Sequence, residues 1–307
     1  MVSGRAVGAA GGFLADKLLG EPRLQPHPVS AFGSVMASLE RRLWRDDHLA
    51  GALHAAAGSS LGLVAGLAVR GVLGPGLPST LAATYLSVAG RGLAEAATSV
   101  VAALEADDLD EARALLPALV GRDPAALDEK EITRAVVESV AENTVDAVVA
   151  PLLWAAVAGA PGALGHRAVN TVDAMVGQRS IRYLRYGWAG ARLDDAAAWV
   201  PARVTAVAVA AVRPHTAGAV WQAVREDAPR HPSPNAGVAE AAFAAALGLR
   251  LGGENRYGDR IETRPPLGRG RPPELADVAE AVRLSSHVGT AVAGSLVAVG
   301  LVGRRRR

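Results

Sequence analysis

Between Leu284 and Gly303 the chain runs for twenty residues without a formal charge, and it then reaches four arginines, Arg304 to Arg307. Twenty apolar residues make about 30 Å of helix, the thickness of a bilayer's hydrocarbon core. Within lipid every backbone N–H and C=O has to be satisfied inside the protein, which selects helices or closed barrels. Arginines beside such a segment mark the cytoplasmic side, so the C-terminus is expected there. Further span candidates are Leu49 to Val69, Val72 to Gly90 with Pro75 and Pro78, and Ala147 to Gly165 with Pro151 and Pro161; Pro201 to Val212 is a weaker one. The expected fold is all-α: a polytopic helical bundle, multi-pass in the cell membrane, with cytoplasmic loops and possible re-entrant segments, forming a single domain over residues 1–307. A soluble, Ala-rich bundle whose buried helices imitate spans competes with it, because Ala and Gly partition almost neutrally between water and lipid.

Strand signals are nearly absent, since the sequence shows neither alternating β-branched runs nor Asn-Gly hairpins. Arg250 to Pro273, rich in Gly, Pro and Arg, reads as an extended cytoplasmic loop. Arg5 ahead of the apolar run Ala6 to Ala15 imitates a signal peptide, but Asp16 and Lys17 interrupt the run and no small-residue cleavage site follows. The N-terminus is therefore expected to be retained.

The absence of cysteine removes disulfides, thiolate zinc sites and cysteine nucleophiles. With a net charge of +2 and no basic stripe interleaved with aromatics, no nucleic-acid partner is expected. No Walker-type loop, dinucleotide fingerprint or Gly-x-Ser-x-Gly elbow occurs, so any nucleotide site is nonstandard.

Charge is unevenly spread. From Arg91 to Asp146 thirteen acidic residues face five basic ones, a balance of −8 that leaves +10 elsewhere. Such a region is expected to meet metal ions or a basic partner. A helix over Asp128 to Val149 gathers Asp128, Glu131, Glu138, Glu142 and Asp146 within an arc of about 80°. A solvated face explains the first of these carboxylates. Glu142 and Asp146, however, run into the uncharged segment that follows, where an ionisable group needs a polar cavity, a partner or a cation. Mg²⁺ with nucleotide phosphates is such a cation.

His166, Arg167, Asn170 and Asp173 share one side of a second helical stretch, and the short polar residues there suggest inward hydrogen bonding. Gln178 to Trp188 sets arginines beside aromatics and is followed by Arg192 and Asp194. That composition suits phosphate or carboxylate recognition, or equally an interfacial belt. His27 and His231 each precede a proline, so stiff extended backbone presents them, either in binding loops or in structural turns.

Several of these segments form an ordered set. It begins with Gly20 to Arg23, His27 to Val29, Val120 to Asp123, Glu138 to Asp146 and Ala150 to Leu152. It continues with Arg167 to Gly177, Gly187 to Asp195, Pro201 to Arg203, His231 to Gly237 and Arg250 to Gly253. In this order they resemble the adenosylcobinamide-phosphate synthase family, the CobD/CbiB cobalamin-biosynthesis proteins. Departures are Glu21 in place of the commoner Asp, Gln178 where an aromatic is frequent, and Val238-Ala239 in place of Trp-Pro.

The resemblance implies a carbon–nitrogen ligase that uses ATP and Mg²⁺ to join a propionate of the corrin substrate adenosylcobyric acid to aminopropanol or its phosphate. It implies catalytic roles for Glu138, Glu142, Asp146, Asn170 and Asp173, and metal ligation by Asp123, Glu142 and Asp146. Substrate binding falls to His27, Arg122, Arg167, Arg179, Arg192, Asp194, His231 and Asn235. The implied partners are these small molecules and the lipid membrane, with a possible homo-oligomer or complex with other cobalamin-pathway enzymes. Two other readings stand beside it: a non-catalytic regulatory or scaffolding relative, and a Mg²⁺-dependent membrane prenyltransferase, for which a convincing second Asp-rich motif is missing.

Overall fold

The computed structural model describes residues 2–22, 24–121, 124–178, 180–257 and 260–305. In chain order the helices are α1 (Val2–Leu19), α2 (Pro28–Leu43), α3 (His48–Leu73), α4 (Leu77–Ser87), α5 (Gly90–Glu105), α6 (Leu109–Leu115) and α7 (Glu129–Asn143). A π-helical segment, Thr144–Val149, leads into α8 (Ala150–Ala158), followed by α9 (Ala160–Val176), α10 (Trp188–Val212), α11 (Ala217–Glu226) and α12 (Ala236–Leu247). Strands β1 (Leu251–Tyr257) and β2 (Arg260–Leu267) precede α13 (Leu275–Arg305). Among the described residues, four helices are long and apolar enough to cross a membrane: His48–Leu73, Glu129–Ala158, Trp188–Val212 and Leu275–Val302. The protein is thus an all-α membrane bundle, as its sequence suggests.

Three segments differ from expectation. Val72 to Gly90 is not one span, because the chain breaks at Gly74 and Gly76, both at positive φ, and α4 has only eleven residues. Ala147 to Gly165 is also divided. Gly159 takes φ 70°, which any side chain would disfavour, and Pro161 opens the next helix, so the long apolar rod lies instead at Glu129–Ala158. Arg250 to Pro273 holds an antiparallel hairpin rather than an extended loop, with a register shift between Leu251 and Gly253. Its stability comes from packing that no local strand propensity announces.

Contacts divide the chain into two compact units. The first comprises 1–89, 150–198 and 293–307. Here α3 distributes its residues inversely to a soluble helix: Ala50, Gly51, Ala55, Gly58, Gly62 and Gly66 are buried, while Leu53, Leu61, Leu63, Val64 and Leu67 are exposed. Large apolar side chains on the outside and small ones at the contact are what a lipid-facing helix needs. A Cβ added at Gly62 would collide with Ala168, and one at Gly66 with Pro161, so this stripe lets α3 lie directly against α9. Asp47 starts α3 by accepting from the Leu49 and Ala50 backbone N–H groups at 3.1 and 3.3 Å. Met36, Ala50, Ala55, Val172, Val176 and Tyr186 form its core.

The second unit comprises 90–149 and 199–292. Helix α12 packs there against α7, α11 and both strands of the hairpin. An Asp128–Glu131 capping box begins α7.

Candidate functional site

The acidic face of the Asp128 helix does not act as one set. Asp128 is exposed and Glu131 half-buried, and both serve the capping box. Glu138 is buried, and its Oε1 accepts from the Gly252 backbone N–H at 2.9 Å. Nearby, Arg134 donates to the carbonyls of Gly252 and Glu254 at 2.6 Å each, which ties the hairpin to α7. Two acids of the surrounding region also meet arginines inside the chain, Glu95 at Arg91 and Asp110 at Arg113.

Glu142 and Asp146 are half-buried on either side of the transition from α7 into the π-helical segment. Asn143 donates to the Ser139 carbonyl at 3.0 Å and its hydroxyl at 3.1 Å, and Thr144 donates to Ser285 Oγ at 2.7 Å. A π-helical turn widens the backbone spiral and re-aims side chains, and such turns concentrate at functional sites. Among the described residues, no three His, Asp or Glu side chains gather as a metal site.

His231 keeps the extended backbone expected before a proline, at φ −75° and ψ 142°, but its ring is buried rather than offered to a ligand in an open loop. Its Nδ1 meets the Ser233 backbone, and its Nε2 lies 3.7 Å from Glu240, a fully buried carboxylate. Arg264 reaches the same Glu240 oxygen at 3.8 Å. Asn235 is buried and accepts from Arg203 at 2.9 Å.

In the first unit α9 carries Arg167, Asn170 and Asp173, all half-buried. Asn170 Nδ2 donates to Asp194 Oδ1 on α10 at 3.3 Å, so these two predicted residues do meet, while Arg192 is exposed. His27 caps α2 with extended backbone, Pro28 occupying the first helical turn. In the largely exposed segment after Gln178, Tyr183 and Tyr186 turn inward: Arg182 Nη2 and the Tyr183 hydroxyl both donate to Glu40, at 3.0 and 2.9 Å, and Arg182 stacks 4.6 Å from the Trp44 ring. Burial, reinforced by the negative Glu40 and by Tyr183, pushes the Tyr186 phenol up to about 12. Arg122, Asp123 and Arg179 lie outside the described residues.

Glu40, Arg134, Glu240 and Arg264 were not singled out from sequence. Glu240 carried a usable signal: it is the one charged residue in α12, an otherwise apolar helix. The others look like ordinary surface charge until the fold supplies partners.

The CobD/Cbib protein family model matches residues 9–285. A cobalamin biosynthesis protein CobD from Mycobacterium tuberculosis is 50% identical over 309 residues, covering 98% of this chain and 97% of that one. Proteins of the same name from Geobacter metallireducens and Halalkalibacterium halodurans are 43% and 38% identical, covering 83% and 99% of this chain and 84% and 98% of their own. No solved structure matches. With the family pattern extending from α1 into α13 and full-length relatives aligned nearly end to end, this chain belongs to the CobD/CbiB family.

Proposed function

We propose that the protein works in cobalamin biosynthesis as an ATP-dependent carbon–nitrogen ligase. It joins a propionate of adenosylcobyric acid to aminopropanol or aminopropanol phosphate, giving adenosylcobinamide or its phosphate. The near full-length similarity to proteins named for cobalamin biosynthesis carries the reading. A location in the cell membrane with a cytoplasmic C-terminus is part of this reading, supported by the four apolar helices among the described residues and by the terminal arginines.

A carboxylate is a poor acyl donor, and ATP with Mg²⁺ supplies the activation that turns its oxygen into a leaving group. Glu142 and Asp146 fit Mg²⁺: both are hard oxygen donors, half-buried, four residues apart and next to a widened helical turn. Asp123 is the third proposed ligand. Asn170 and Asp194 hold each other in place, a preorganised pair for orienting the amine, and Asp173 on the same helix is assigned to receive its proton. Arg122, Arg167, Arg179 and Arg192 are assigned to the anionic groups and His27 to substrate positioning, while the buried His231 and Asn235 are assigned to shaping the loop that carries them. Glu138 positions the hairpin through Gly252.

The test is the reaction itself. Detergent-purified protein with ATP, Mg²⁺, adenosylcobyric acid and aminopropanol phosphate is expected to form one new amide, visible as a mass shift of the corrin. No amide with either amine, from demonstrably folded protein, would overturn the ligase reading.

A further inference from the structure

In the second unit an open cleft of about 570 Å³ lies between the first turns of α7 and the base of the hairpin. That is within the roughly 300–1,000 Å³ typical of small-molecule sites. Lys130, Arg134, Arg250 and Arg264 line it, with Asp128 and Glu131. The two acids are engaged with backbone: Asp128 accepts from the Glu131 N–H at 2.8 Å, and Glu131 from the Asp128 N–H at 3.0 Å. Arg134 is engaged with the hairpin carbonyls. Arg264 lies 3.8 Å from the carboxylate of Glu240, whose side chain is 0% exposed. A guanidinium held by a buried carboxylate is a fixed charge that needs little reorganisation when an anion arrives.

Lys130 and Arg250 are exposed and form no ion pair among the described residues. At the hairpin base the wall is formed by Gly252 and Gly253, which have no side chains and whose φ of 86° and 110° favours glycine. The cleft therefore combines a fixed arginine, two uncommitted cations and room for a ligand. We propose that it binds a phosphate-bearing small molecule, with Lys130 and Arg250 closing on phosphate oxygens beside Arg264.

The choice of ligand rests on the ligase reading, which involves two phosphate sources: the nucleotide and the phosphorylated amine. The full chain in detergent is titrated calorimetrically, without Mg²⁺, with ATP and separately with aminopropanol phosphate. Arg250→Gln, and the double variant Lys130→Gln/Arg250→Gln, are expected to weaken one of them by about tenfold or more, the value of a lost charge-assisted hydrogen bond. Arg225→Gln, an exposed arginine of α11, controls for net charge and leaves both affinities unchanged. Loss confined to ATP assigns the cleft to the nucleotide, and loss confined to the amine assigns it to that substrate. Unchanged affinity for both, or no binding of either by the unmodified protein, overturns the proposal. Both substituted residues are exposed, and gel filtration checks that the variants fold. Protein that binds through Arg250 yet forms no amide keeps the cleft and loses the ligase reading; amide formation with undiminished binding in the variants does the reverse.

Discussion

The carboxylate of Glu138, 1% exposed on α7, accepts a hydrogen bond from the backbone N–H of Gly252, 114 positions further along the chain. Arg134, one turn earlier, donates to the Gly252 carbonyl, so both polar groups of that glycine are held by one helix. Removing the acceptor strands a buried N–H. Glu138→Ala is expected to cost about 2–3 kcal/mol, and Glu138→Gln, which keeps a carbonyl oxygen, about 1. Thermal unfolding in detergent checks the ranking; an Ala variant as stable as the unmodified protein would show that the bond contributes nothing.

Glu142→Gln and Asp146→Asn keep volume and remove charge. Each is expected to lower amide formation by about a hundredfold or more, the scale of lost electrostatic stabilisation in a preorganised site, while the protein stays folded. Turnover should be measured across a Mg²⁺ series. Near-normal rates at limiting Mg²⁺ in both variants would leave the pair with a structural role alone.

The α3 stripe predicts a sharp contrast between two glycines of one helix. A Cβ at Gly62 would meet Ala168 and the Leu164 carbonyl, whereas Gly71 has nothing within 4 Å. Gly62→Leu should separate α3 from α9 and cost several kcal/mol, about what overpacking of a tight contact costs. Gly71→Leu should be tolerated. Yields of folded protein and resistance to proteolysis report the difference; equal behaviour would mean that the close approach is unimportant.

Tyr186 supplies a pH-dependent term. Its phenol is raised from 10.0 to about 12, so the folded state holds this proton more tightly than the unfolded state. The associated stability is complete below pH 10 and is lost as the pH climbs towards 12. Ultraviolet absorbance should show one tyrosinate forming near pH 12, and Tyr186→Phe should abolish that late step. A full tyrosine titration already complete near pH 10 would contradict the buried setting.

The sequence by itself determined the class of fold. An uncharged run of bilayer length implies helices in lipid, and α3 and α13 contain those runs. Local rules also account for the helix start at Asp128, where a capping box acts within one turn, and for the extended backbone of His27 before its proline. Only the tertiary structure decided where the longer apolar segments break, as at Gly159, and that Arg250 to Pro273 forms a hairpin held by Arg134 and Glu138. It likewise decided that His231 is buried against Glu240 rather than offered to solvent, and that Asn170 meets Asp194. Those outcomes depend on polar groups far apart in sequence satisfying one another away from water, and helical periodicity contains no information about which distant partner each will find.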